Sequence, residues 1–181
     1  GKEILEEALE KASRYVNIIH IPLCVGLTLL AFSVIPLFAG EKFAEASIPY
    51  MVMALGAIPC GYTVLTYSVF VVLNRNRYVL IYTLLGIFAN ALVGYMLIPR
   101  IGIVGAAMGN VLLQTVSCSS ALILLRRAIS PRLDRETLLK VPVATFGMAL
   151  VIYFSQKIFT VQVSLPLHIV LGILTYFTLP V

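Results

Sequence analysis

Charge is scarce in this sequence. Only 12% of its 181 residues are Asp, Glu, Lys or Arg, about half the roughly 25% of an ordinary soluble domain. Acids are scarcer still. The eight are Glu3, Glu6, Glu7, Glu10, Glu41, Glu45, Asp134 and Glu136, and none falls inside a long apolar run. The three cysteines, Cys24, Cys60 and Cys118, have no CxxC or metal-ligand spacing, and their odd number and wide separation argue against a disulfide framework. Each reads as a small side chain within an apolar run. The two histidines, His20 and His168, have no neighbouring acid. Paired acids, a His–Asp pair and a metal cluster are therefore all missing, and no enzyme, cofactor or metal site is expected.

What is present is apolar. Hydrophobic residues make up 60% of the chain and the mean hydropathy is +1.01. A water-soluble fold of this size could not bury that much apolar surface and still cover itself with polar groups. This excludes a soluble globular enzyme, a disordered chain and a conventional nucleic-acid binder. The net charge of +5 is accordingly no nucleic-acid footprint, and the placement of the positive charges carries more information than their sum.

Residues 1–14 are expected to form a cytoplasmic amphipathic helix. Ile4, Leu5, Ala8, Leu9 and Ala12 recur at helical spacing, and Glu7–Lys11 and Glu10–Arg14 are i,i+4 pairs with the acid first, the favourable order. Six apolar stretches follow, at 15–38, 48–73, 78–98, 101–125, 138–159 and 163–181. Each is close to the roughly 20 residues a spanning helix needs, and lipid-embedded backbone must bond internally, which makes them helices. Gly40-Glu41-Lys42, Asn74-Arg75-Asn76-Arg77, Pro99-Arg100-Ile101-Gly102, the polar loop from Arg126 to Lys140, and Gln156-Lys157 separate them. The fold class is an all-α polytopic membrane bundle of about six transmembrane helices behind a short amphipathic helix.

Alternating the spans across the bilayer puts Lys2, Lys11, Arg14, Arg75, Arg77, Arg126, Arg127, Arg132, Arg135 and Lys140 on one side. Only Lys42, Arg100 and Lys157 fall on the other. Such an imbalance is a positive-inside signal, placing both ends of the chain in the cytoplasm of a multi-pass plasma-membrane protein. The chain opens without an initiator Met or a signal-peptide pattern and stops within an apolar run, so it is expected to be a piece of a larger protein.

Polar residues inside the spans are the candidate substrate-binding positions: Asn17 and His20 in the first, Asn90 in the third, Asn110 and Gln114 in the fourth. Asn17 precedes His20 by one turn and Pro22 follows, so a polar kink is expected there. Asn110 and Gln114 share a helix face. For all five, interhelical hydrogen bonding is the favoured reading, with the lining of a polar path as the alternative. His168 reads as structural. Small residues form a second pattern. Gly105-Ala-Ala-Met-Gly109 is a GxxxG, and Gly56-x-x-x-Cys60 and Ala57-x-x-x-Gly61 are related; these let helix backbones approach closely, within the chain rather than across a dimer. The basic loop reads as a topology signal, with attraction to anionic lipid as the alternative.

One stretch is more specific. Asn74-Arg-Asn-Arg-Tyr, a full apolar span and then Leu97-Ile-Pro-Arg-Ile-Gly-Ile-Val-Gly-Ala-Ala-Met-Gly109 resemble the Gly-rich turn in the C-terminal part of polysaccharide-biosynthesis and oligosaccharide flippases. These belong to the multidrug/oligosaccharidyl-lipid/polysaccharide exporter superfamily. Lys11-Ala-Ser-Arg14-Tyr15 with Pro22-Leu23, and Phe38-Ala-Gly40-Glu41-Lys-Phe43-Ala-Glu-Ala46, look like the family's entry into and exit from a late span. The similarity covers about residues 11–127, and the last two spans only by pattern. In the turn, Pro99 ends one helix, Gly102 permits the reversal and Gly105 and Gly109 admit close packing.

The resemblance implies the last six of fourteen spans in a two-lobed alternating-access transporter. Residues 15–127 would hold four membrane helices of the second lobe, 128–140 a basic cytoplasmic loop, and 141–181 two additional C-terminal helices. The partners it implies are membrane lipids, a lipid-linked sugar substrate and a missing N-terminal lobe of the same protein, with no nucleic acid. The family's charged cavity residues match no position here. Three alternatives stand beside it: a drug/cation antiporter of the same superfamily, a membrane-embedded glycan-assembly enzyme, and a scaffold.

Overall fold

The computed structural model describes residues 2–129, 135–158 and 161–178, and for 2–3, 135–139, 155–158, 161–168 and 177 it describes the backbone alone. Among the described residues every regular element is helical and no strand occurs. The elements are α1 (Lys2–Leu29), α2 (Ala31–Ala39), a 3-10 helix (Glu41–Ala46), α3 (Ser47–Gly56), α4 (Ile58–Val72), α5 (Asn76–Ile101), α6 (Ile103–Ala128), α7 (Arg135–Ile158) and α8 (Val161–Thr178).

Three segments are long and apolar enough to cross a bilayer: Ile4–Leu29, Asn76–Ile101 and Ile103–Ala128. Each has 26 residues, about 39 Å of helix against a hydrocarbon core of ~30 Å. The segments Glu41–Gly56 and Ile58–Val72 pass the same test together but are bent by 44° at Ala57, the geometry of a broken span or of a re-entrant loop. Three or four of the six expected spans are thus matched. In α7 the side chains are described over Lys140–Phe154, an apolar stretch shorter than a span, and the described side chains of α8 begin at Ile169. Residues 130–134 of the expected basic loop, and the side chain of His168, lie outside the described residues.

Three boundaries differ from expectation. The 1–14 helix and the first span are one helix, running through Arg14 and Pro22 to Leu29. The acid-first pair at Glu7 and Lys11 is made, at 2.8 Å, but Leu9 and Ser13 are buried. The Ser13 hydroxyl donates to the Glu10 carbonyl at 2.7 Å. A helix with one buried stripe gains more from continuing than from stopping at a charged surface turn. The stretch 15–38 is instead divided at Leu30, and the stretch 48–73 at Ala57.

The chain forms two compact units. The first comprises Gly1–Val16 and Gly56–Asp134, and its largest packing surface joins α5 to α6. Its core brings together Leu9, Val69, Phe70, Tyr82, Ala121, Leu125 and Ile129. Phe70 is fully buried, with its ring centroid 5.3 Å from that of Tyr78 and 6.4 Å from that of Tyr82. Helix α4 ends in a Schellman turn. The Asn74 N–H donates to Val71 O at 3.0 Å and the Arg75 N–H to Phe70 O at 2.8 Å, with Asn74 at φ 54°. Asn is the residue that most readily replaces Gly in this left-handed position.

The second unit comprises Asn17–Leu55 and Arg135–Val181. On α7, Val141, Ala144, Thr145, Met148 and Ile152 are buried and fall on one stripe at helical spacing. Leu30, Ala144, Met148, Ile152 and Tyr176 form the unit's core.

Candidate functional site

The α5–α6 hairpin carries the turn motif. Helix α5 continues through Pro99 to Ile101, so Pro99 lies within its last turn instead of ending it. Gly102 makes the reversal at φ 59° and ψ −133°, a backbone conformation that residues with a Cβ rarely adopt. Its N–H closes α5 on Ile98 O at 2.9 Å, and its carbonyl accepts from the Gly105 N–H at 3.0 Å. A Cβ placed on Gly105 would stand 2.6 Å from the Leu97 carbonyl carbon and 2.7 Å from its oxygen. The helices therefore touch backbone to backbone.

The contact continues along the hairpin. A Cβ on Gly109 would stand 2.5 Å from Asn90 Oδ1 and 3.5 Å from the Gly94 nitrogen. One on Gly86 would collide with the Ser117 hydroxyl and stand 2.9 Å from Leu113 O. That hydroxyl donates to the Tyr82 carbonyl at 3.3 Å. So α6 runs Gly105, Gly109, Leu113, Ser117 antiparallel to Leu97, Asn90, Gly86, Tyr82 on α5, one turn per step on α6 and one or two on α5. Sequence reasoning identified the α6 half of this seam. It missed Gly86 and Gly94, although Gly86-x-x-x-Asn90-x-x-x-Gly94 repeats with the same four-residue period.

The five polar candidates divide between the units. Asn90 is half-buried and spends its amide against Gly109. Asn110 and Gln114, also half-buried, occupy the arc of α6 between two packed lines. One is the seam toward α5. The other holds Val111, which blocks any Cβ at Gly56, and Cys118, whose thiol meets the Thr63 hydroxyl of α4. In the second unit Asn17 is buried, at 1% exposure. His20 is half-buried, its Nε2 3.7 Å from the Cys24 thiol one turn on. Cys24 is buried and its carbonyl accepts from the Thr28 hydroxyl at 2.7 Å. The structure thus groups Asn90, Asn110 and Gln114 on one hairpin, and Asn17 and His20 on one helix.

The second unit also contains an apolar cavity of about 330 Å³ between the later part of α1 and helices α7 and α8. Ile18, Pro22, Gly26, Leu30, Met148 and Tyr176 are among its walls. Among the described residues no charged one lines it, so these walls suit hydrocarbon and offer nothing to an anionic headgroup. Among the described residues no cluster of three His, Cys, Asp or Glu could hold a metal ion.

These features define a polytopic helical membrane protein with a tightly seamed hairpin and no reaction centre among the described residues. A solved structure of the lipid II flippase MurJ, in its inward closed conformation, shares this fold with a TM-score of 0.89. The match covers 99% of the present chain and 39% of the solved one, at 18% identity, so the chain spans about two fifths of the length of the protein it resembles. No protein-family model matches the sequence, and no curated protein matches it.

Proposed function

We propose that this chain is the C-terminal part of a flippase that moves lipid-linked oligosaccharide or polysaccharide precursors across the plasma membrane by alternating access. The observation that carries the reading is the fold shared over 99% of the chain with a lipid II flippase. The Gly-rich hairpin turn supports it from the sequence side. In this reading six spans cross the bilayer and both ends of the chain face the cytoplasm. The α1–α6 segment belongs to the second lobe, α7 and α8 are the additional pair, and a preceding lobe completes the protein.

The chain's own share is scaffold and lobe closure. No Asp or Glu occurs between Glu45 and Asp134, and intramembrane acids are the usual seats of ion coupling. No Lys or Arg falls in the middle of an apolar stretch either, so the cations that hold a substrate diphosphate are assigned to the preceding lobe. Asn17, His20, Asn90, Asn110 and Gln114 are assigned to interhelical packing, a role their partial or complete burial supports.

The test is translocation by the complete protein in proteoliposomes. A fluorescent lipid-diphosphate sugar is followed by a membrane-impermeant quencher. Saturable movement faster than in empty vesicles is the expected result. No movement in correctly oriented protein overturns the reading, and ion-driven efflux by the same vesicles would then establish the antiporter alternative.

A further inference from the structure

We infer that the first unit carries a binding site for anionic phospholipid headgroups, formed by Arg75 and Arg77 at the start of α5 with Arg126 and Arg127 at the end of α6. The inference does not depend on the flippase reading.

Register brings the four together. The hairpin pairs Leu97 with Gly105, Asn90 with Gly109, Gly86 with Leu113 and Tyr82 with Ser117. Carried two to three turns further, the same pairing brings Arg75 and Arg77 to within roughly a turn of Arg126 and Arg127 along the hairpin. The core cluster supports this. Tyr78 and Ala128, the immediate neighbours of Arg77 and Arg127, both pack against the core cluster that holds Phe70, Leu125 and Ile129. The Schellman turn at Asn74 fixes the backbone from which Arg75 and Arg77 project. Arg75 lies over the Tyr78 ring, 5.7 Å from its centroid.

All four side chains are exposed, and among the described residues none of them is in an ion pair. Helices α4, α5 and α6 contain no acid at all. The described acids of this unit, Glu6, Glu7 and Glu10, lie on α1, and Glu7 is occupied by Lys11. Four guanidinium groups at one end of the hairpin repel one another, and α4, α5 and α6 supply no counter-charge. The α6 carbonyl end favours the presence of Arg126 and Arg127 but takes only part of their charge. Guanidinium forks match phosphate oxygens in pairs. At a helix end beside exposed apolar side chains such as Val72, Leu80 and Ile123, the phosphate within reach is that of a bilayer lipid. At the other end of the hairpin Arg100 stands alone, so the rim is one-sided. Arginines near an anionic surface act almost independently, each changing binding about fivefold.

The experiment titrates phosphatidylglycerol, with phosphatidylcholine as reference, against the full-length protein in mild detergent. Bound lipid is counted by native mass spectrometry. Arg75→Gln/Arg77→Gln and Arg126→Gln/Arg127→Gln are each expected to weaken phosphatidylglycerol binding about tenfold or more. Their lysine counterparts should retain part of it, and Arg100→Gln should change it less than about twofold. Thermal unfolding in phosphatidylcholine alone identifies any variant that fails to fold, and the other pair then carries the test. Unchanged phosphatidylglycerol binding in the folded double variants overturns the inference. So does an equal loss in Arg100→Gln. Displacement of the lipid by inorganic phosphate at matching concentration would also overturn it, by making the rim a free-anion site.

Discussion

Asn90 and Gly109 meet across the α5–α6 hairpin with no room for a further carbon: a Cβ on Gly109 would stand 2.5 Å from Asn90 Oδ1. The intruding group is the end of a side chain and can yield if Asn90 is shortened. Gly109→Ala is therefore expected to destabilise the protein by about 1–2 kcal/mol. Asn90→Ala alone should cost less, and the double variant should recover most of the Gly109→Ala loss. Thermal unfolding of the four proteins in one detergent measures the coupling. Additive losses would mean that Asn90 does not fill the space over Gly109.

Gly105 differs because its neighbour is backbone. The Leu97 carbonyl, 2.7 Å from the position of a Cβ, cannot move without shifting the helix. Gly105→Ala is expected to cost more than Gly109→Ala, about 2–3 kcal/mol, with no rescue by substitution at Leu97. A Gly105→Ala protein as stable as the parent in the same unfolding assay would refute the close backbone approach.

The seam shows what was legible in the sequence. Apolar run lengths and the acid-free interior gave the class of the molecule, because hydropathy reports the medium directly. The order Pro99, Gly102, Gly105, Gly109 gave the hairpin, because turn and close approach each restrict residue type. The continuity of α1 through Arg14 was not legible. Its charged first turns read as a surface helix, and only Leu9 joining the core of α4, α5 and α6 makes continuation favourable. The breaks at Leu30 and Ala57 carry no local stop signal as strong as Asn74 or Gly102. The roles of Asn90 and of the Arg75–Arg127 rim depend on which residues the hairpin brings together, and linear spacing does not contain that.

Asn74 tests the local chemistry of the α4 stop. Its φ of 54° is unfavourable for a residue with an ordinary side chain by about 1–2 kcal/mol. Asn74→Gly should leave stability unchanged or raise it slightly, and Asn74→Ala should lower it by about 1 kcal/mol. Equilibrium unfolding in a mild detergent with added denaturant reads both. Equal stability of the Ala and Gly variants would contradict the left-handed cap. Because Asn74 is exposed, packing losses should not obscure the comparison.

Topology tests the span count. Lys42, in the 3-10 helix, and Asn76, at the start of α5, are both exposed and lie on either side of α3 and α4, which the six-span reading takes as one broken crossing. The native thiols must first be removed. Cys24 and Cys118 are buried and Cys60 is half-buried, so alanine at all three is the appropriate background. In that background Lys42→Cys is expected to react with a membrane-impermeant maleimide added outside intact cells. Asn76→Cys should react only after the membrane is opened. This follows from the charge pattern, since Arg75 and Arg77 flank Asn76 and arginines are held on the cytoplasmic side. If both cysteines react from the same side, α3 and α4 form a re-entrant hairpin and the number of crossings falls by one. The two ends of the chain would then face opposite sides of the membrane.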